Sequence, residues 1–216
     1  MAEISAKLVK QLRDETGAGM MDCRRALQET GGDVEKAKDL LRARGIAKAA
    51  SKAGRATKEG LIEAYVHASG GVAKQGALVE LNCETDFVAK TDAFRQLARE
   101  IALQVVGAQP HYVGREHVPA DIVEREKGVY REQVQGKPEN IVDKILSGKL
   151  NDFYSKVCLV DQPWIKDDKK TIGQLIKESV ATLQENISVA RFARFAVGEA
   201  PHADVSDEPG ENGTGS

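Results

Sequence analysis

The chain is poor in cysteine, with Cys23, Cys83 and Cys158 an odd, widely spaced trio and no CxxC pair among them. That excludes a disulfide framework and a redox motif. His67, His111, His117 and His202 are scattered, with no metal-ligand spacing to those cysteines, so no metal site is expected. No apolar run reaches the length of a signal peptide or a bilayer span. Nor does one charge dominate: the formal net charge is −2. The sequence therefore reads as a soluble protein of a reducing cytoplasm, with no membrane contact and no cofactor of its own.

The charge that is present is unevenly placed. Five of the 33 acidic residues (Glu199, Asp204, Asp207, Glu208, Glu211) lie from residue 199 onward, where there is no Lys or Arg. The preceding body, with 31 basic against 28 acidic residues, is close to +3, too little to imply nucleic-acid binding by itself. The strongest positive run is 42–58, with Arg42, Arg44, Lys48, Lys52, Arg55 and Lys58. No aromatic residue is interleaved to stack on bases, so this run reads as a solvated linker helix rather than a nucleic-acid site.

Periodicity supplies the elements. Ile4, Leu8 and Leu12 repeat at helical spacing up to Thr16-Gly17. A tight turn, Gly17-Ala18-Gly19-Met20-Met21, precedes a second helix over 22–29, with Ala26 and Leu27 inward. Adjacent methionines cannot share a helix face, so one is expected in the core and one outside. Asp33 caps a third helix carrying Val34, Ala37, Leu40 and Leu41, with Gly45 at its end. After Gly60 the period becomes two: 61–68 and 77–83 read as strands of a hairpin joined by a long glycine loop. Phe94, Leu97, Ala98, Ile101, Ala102 and Val105 mark one face of a helix that opens at Thr91-Asp92 and stops at Pro110. Pro119 opens another helix, through about Val134. Residues 138–160 read as a helical pair broken near Gly148, an arm projecting from the body. The segment 161–165 reads as a plug docked on the sheet, Thr171-Ile172-Gly173-Gln174 as a capping box, and 186–197 as a third strand. On that strand Ile187, Val189, Ala193, Phe195 and Val197 share a face, with Arg191 the exception.

The expected fold class is α+β: a small N-terminal three-helix bundle over 1–55, and a core over 56–198. The core holds a three-stranded antiparallel sheet packed with helices, plus the helical arm. A disordered acidic tail is expected over 199–216.

The stretch of greatest interest is Cys83-Glu84-Thr85-Asp86-Phe87-Val88-Ala89-Lys90-Thr91, where a strand runs into a helix. On pattern alone Phe87 is a core anchor and Asp86 a helix cap, since apolar residues at element ends pack inward. The competing reading is an acid and an aromatic presented side by side on a rigid junction.

Three separated motifs resemble bacterial elongation factor Ts. They are Thr16-Gly17-Ala18-Gly19-Met20-Met21-Asp22-Cys23, then Glu80-Leu81-Asn82-Cys83-Glu84-Thr85-Asp86-Phe87-Val88-Ala89-Lys90, then Asn186-Ile187-Ser188-Val189 leading to Arg191-Phe192. They lie in the family's order across residues 1–198, in what resembles a short form with one core repeat. Where the family often has a first Arg before Arg-Phe, this chain has Ala190.

The resemblance implies an N-terminal domain like a ubiquitin-associated bundle, and guanine-nucleotide exchange on elongation factor Tu. It implies no catalytic chemistry of the chain's own. By similarity, Thr85, Asp86, Phe87 and Val88 dislodge Mg²⁺ from the GTPase, and Leu12, Met20 and Met21 contact a helix of that partner. It also implies that two copies can pair through the core sheet. Three rival readings are a ubiquitin-binding adaptor built on the bundle, an RNA-binding protein using residues 42–58, and a thiol hydrolase using Cys83 and His67.

Overall fold

The computed structural model describes residues 4–134 and 138–199. Its N-terminal bundle comprises α1 (Ala6–Thr16), α2 (Met20–Glu29) and α3 (Val34–Ala50). Ser5 caps α1 by accepting the Leu8 N–H at 3.2 Å, and Asp33 caps α3 by accepting the Lys36 N–H at 3.1 Å. Gly17 ends α1 in the left-handed region, φ 66°, and returns its N–H to the Arg13 carbonyl. Val9, Leu12, Cys23, Ala26, Leu27, Ala37 and Leu41 close the bundle's core.

Two expectations change here. The methionines open α2 rather than preceding it, and both are exposed, Met20 at 45 % and Met21 at 67 %. The inward stripe of α2 begins only at Cys23. And α3 does not stop at Gly45: it takes in the presumed linker helix only as far as Ala50, and residues 51–58 are turn and loop rather than helix. One continuous helix thus places Ala37 and Leu41 in the bundle's core and Ala49 in the main core. It packs along α8 (Ile172–Leu183), where a Cβ at Gly45 would lie 3.0 Å from the Ala181 Cβ. The missing side chain lets the two helices approach closely.

The main sheet has the order β1 (Glu59–Ser69), β2 (Val72–Cys83), β5 (Ile187–Ala196), all antiparallel, with β2 central. The hairpin is tighter than expected. Gly70 and Gly71, at φ 61° and 80°, make a two-residue turn, and Lys74 is left over as a bulge in β2. The inner face, with Leu61, Val79, Leu81, Cys83 and Val189, packs against α5 (Asp92–Ala108), whose Phe94, Leu97, Ile101 and Val105 are buried.

In β5 the register slips: Leu81 pairs with Val189 but Glu80 with Arg191, so Ala190 is a bulge. The faces swap at that point. Phe192 packs on the core while Phe195 is 69 % exposed, the reverse of what strict alternation predicts. Arg191 therefore belongs to the outer face and is no exception.

A one-turn helix, α4 (Asp86–Ala89), joins β2 to α5. The arm is built differently from the sequence reading. Its helices are α6 (Ala120–Gln133), capped by Pro119, and an unbroken α7 (Glu139–Val157). Gly148 sits inside α7, and nothing lies within 4 Å of where its Cβ would be. A lone glycine costs such a helix about 1 kcal/mol without breaking it.

The 161–165 segment docks on α5, not on the sheet. Gln104 donates to the Pro163 carbonyl at 3.0 Å and accepts the Ile165 N–H at 2.9 Å. Pro163–Trp164 is β3, paired with β4 (Asp167–Thr171) in a small second sheet that the sequence reading missed. The capping box at Thr171 then starts α8 (Ile172–Leu183) as expected, with Gln174 reciprocating. Glu199, counted with the tail, is tied to Arg194 at 2.7 Å; the remainder of the expected tail lies outside the described residues. Among the described residues no helix is long and apolar enough to cross a membrane.

A Cβ at Gly60 would fall 2.2 Å from the Leu81 carbonyl oxygen across the hairpin, whereas Gly54 has open space around it. Gly60→Ala is therefore expected to lower the unfolding free energy by about 2 kcal/mol or more, and Gly54→Ala to change it by under ~0.5 kcal/mol. Urea midpoints for the two variants decide this; a silent Gly60→Ala contradicts the hairpin geometry.

Candidate functional site

The site grows out of the end of β2. Cys83 is fully buried and pairs with Ile187, so the central strand enters the corner firmly held. Thr85 then caps α4, its hydroxyl accepting the Val88 N–H at 3.4 Å. Thr91 caps α5 in the same way, accepting the Phe94 N–H at 3.3 Å and donating to the Val88 carbonyl at 2.8 Å. Two helix starts six residues apart leave the segment between them almost no freedom.

Within α4, Val88 and Ala89 lean on the core, and Phe87 points away from it, 78 % exposed. The core-anchor reading of Phe87 is overturned, because that place is taken by Val88, Ala89 and Phe94. Asp86 is not the cap either; it occupies the first helical position and binds Lys90 at 2.6 Å. The hydrogen bond from Lys90 holds the Asp86 carboxyl below the usual carboxylate range.

Opposite the corner lies the turn from α8 into β5, and the two turns grip each other. Glu185 accepts the Thr85 hydroxyl at 2.6 Å on one oxygen. Its other oxygen accepts the backbone N–H groups of Glu84 and Thr85, at 3.1 and 3.0 Å. In return Glu84 accepts the Asn186 N–H at 2.7 Å. Asn186, itself buried, donates to the Arg55 carbonyl at 2.7 Å, and the Arg55 guanidinium lies 3.5 Å from Glu84. The sequence reading missed Glu185. Its one signal was electrostatic: an acid just beyond a helix C-terminus is disfavoured by the helix dipole, so it needs another reason to be there.

The other residues expected in the site lie on the bundle. Met20 and Met21 expose apolar, flexible side chains suited to gripping an apolar patch. Leu12 has no exposed surface, so its part in any contact comes through the bundle's packing and not by direct touch. Met20 stands at the rim of a groove of about 890 Å³ between bundle and core, with Leu41 and Ala181 also lining it.

Two of the rival readings find little in the geometry. Cys83 pairs across the hairpin with Glu59, and His67 with Gln75. At ~3.3 Å per residue, the two presumed catalytic groups are about 26 Å apart. Burial pushes the Cys83 thiol up, and the nearby Glu185 charge adds to it, which is the wrong direction for a nucleophile. The basic run is largely spent on the fold itself: Arg42 meets Glu178 at 3.4 Å, Arg44 meets Glu29 at 2.6 Å, and Lys52 donates to the Gln184 carbonyl.

Phe87→Ala is expected to leave the unfolding free energy within ~0.5 kcal/mol of the parent, as for exposed positions generally. Phe94→Ala, which empties a fully buried site, should cost ~3–5 kcal/mol. Chemical denaturation of both variants checks the contrast; a large loss at Phe87 would restore the core-anchor reading.

Comparison with known proteins bears on the whole chain. Residues 44–199 match the family described as Elongation factor TS. The chain is 57 % identical over 199 residues to the elongation factor Ts of Coprothermobacter proteolyticus, covering 91 % of this chain and all of that protein. It is 53 % identical over 201 residues to that of Desulforamulus reducens, covering 92 % of this chain and 91 % of the relative. With that of Thermotoga petrophila it shares 54 % over 197 residues, 91 % of this chain and 98 % of the relative. Matched at more than half identity along nine-tenths of its length, the chain belongs to the elongation factor Ts family.

Proposed function

We propose that this protein is a cytoplasmic translation factor that exchanges guanine nucleotide on the GTPase elongation factor Tu during polypeptide elongation. Family membership supports the class of activity. The observation that carries the mechanism is Phe87: a large aromatic 78 % exposed on a corner held from both ends.

A P-loop GTPase holds GDP through backbone donors, a Lys and a Mg²⁺ tied to phosphate and protein oxygens. Mg²⁺ demands near-ideal octahedral geometry, so a small displacement of its ligands costs much affinity. Phe87 acts as a wedge between elements of the partner and shifts those ligands without touching the nucleotide. Asp86 exchanges its exposed ion pair with Lys90, of little net worth, for a hydrogen bond to the displaced segment. Its charge also opposes phosphate nearby. Thr85 and Val88 hold the wedge from behind, through the cap and the core. Met20 and Met21 supply a second grip, which keeps the wedge in place while the Mg²⁺ site opens.

This work is differential binding, with no covalent step. If the factor weakens GDP binding, GDP weakens factor binding by the same ratio, and incoming nucleotide expels the factor.

Release of a fluorescent GDP from elongation factor Tu tests the reading. The wild-type chain should accelerate release, and Phe87→Ala should lower the maximal rate about thirtyfold, the loss of a ~2 kcal/mol aromatic anchor. Equal release with both proteins moves the site elsewhere; no acceleration by the wild type removes the function.

The same reading includes pairing of two copies through the core sheet. The sheet's outer face exposes Ile62, Val66, Leu78 and Phe195, an apolar surface of the kind that marks an interface. It carries one acid and one base, Glu80 and Arg191, in contact at 2.7 Å. A two-fold axis sets apolar side chains against each other and each Glu80 near a second Arg191. Sedimentation equilibrium should give a dimer at micromolar concentration, and Phe195→Asp a monomer. A monomeric wild type that is active in exchange removes the pairing.

A further inference from the structure

We propose that Glu185 is the positioning residue of the exchange site: its carboxylate sets the direction in which Phe87 is presented. The inference rests on the exchange reading above and assigns a role to a residue far from the corner in sequence.

Packing in the core does not fix Phe87. Its side chain is 78 % exposed and has no place in the core. The helix that carries it is only four residues long, and a single turn has little stability of its own. The direction of Phe87 is therefore set by whatever holds the two ends of α4. At the C-terminal end, Thr91 takes the Val88 carbonyl and Lys90 bridges to Asp86. At the N-terminal end, Glu185 receives the Glu84 N–H, the Thr85 N–H and the Thr85 hydroxyl.

The hydroxyl is the decisive contact. It has one proton, and that proton goes to Glu185; the lone pairs left over then accept the Val88 N–H. Glu185 thus orients the very group that starts α4. Both of its oxygens are acceptors for donors on the corner, and only an ionised carboxylate offers acceptors on both sides. A glutamine has the same shape, but whichever way its amide faces, at least one donor of the corner loses its acceptor.

A residue that acts through Phe87 has a signature that a merely structural residue lacks. Release of fluorescent GDP from elongation factor Tu is measured across factor concentrations with wild type, Glu185→Gln, Phe87→Ala and the double variant. Glu185→Gln is expected to lower the maximal release rate about tenfold, the worth of one charge-assisted hydrogen bond. The half-saturating concentration should stay within about twofold, because the methionine contact is untouched. In the Phe87→Ala background, Glu185→Gln should add no further loss. Thr85→Val, which removes the hydroxyl, should match Glu185→Gln. If Glu185→Gln fails to fold by circular dichroism, Thr85→Val decides alone.

Wild-type rates for Glu185→Gln or Thr85→Val, with Phe87→Ala slow, overturn the positioning role and leave the exchange reading standing. A tenfold loss that persists in the Phe87→Ala background also overturns it, by showing that Glu185 acts elsewhere. No acceleration by the wild type removes both.

Discussion

Two carboxylates, Glu84 and Glu185, each satisfy backbone donors on the other's turn, and the geometry of the molecule follows from that exchange. The turns they join leave the same end of the sheet, next to the Cys83–Ile187 pair. One sends the chain into α4 and α5, the other brings it from α8 into β5. Buried or half-buried N–H groups at strand ends are costly without acceptors. Here each turn supplies the acceptor that the other lacks, so neither can move alone. Arg55 offsets part of the two like charges and draws the loop that follows α3 into the same knot.

The second constraint is that one helix serves two cores. Through Leu41 and Ala49, α3 belongs both to the bundle and to the body beneath the sheet. Close approach of α3 to α8 at Gly45, together with the Arg42–Glu178 contact, fixes the crossing. The exposed methionines and the exposed phenylalanine therefore sit on one connected frame. A grip at the first can hold the second at a defined place on a partner.

Much of this was legible in the sequence. The bundle, the hairpin, the central strand, the capping box at Thr171 and the long face of α5 all follow from period and cap chemistry. What was not legible has physical reasons. Period alone could not place the end of α3, because its apolar residues serve two surfaces in succession. It could not see that α7 runs through Gly148, an exposed position where a lone glycine costs too little to break a long helix. It misassigned β5 beyond Val189, because one extra residue at Ala190 reverses the alternation. Within the site, Phe87 was legible only by family resemblance, since an exposed aromatic at an element end looks from pattern like a buried one. Glu185 lies a hundred residues from the group it holds, beyond the reach of any local rule.

The bulge at Ala190 has a consequence for assembly. In this sheet β5 is an edge, and a long regular edge invites further strands to add without limit. The extra residue kinks that edge, breaks its hydrogen-bonding rhythm and leaves Arg191 exposed beside it. A strand arriving from another chain would find no continuous template. A kinked edge of this kind works against fibres grown by strand addition.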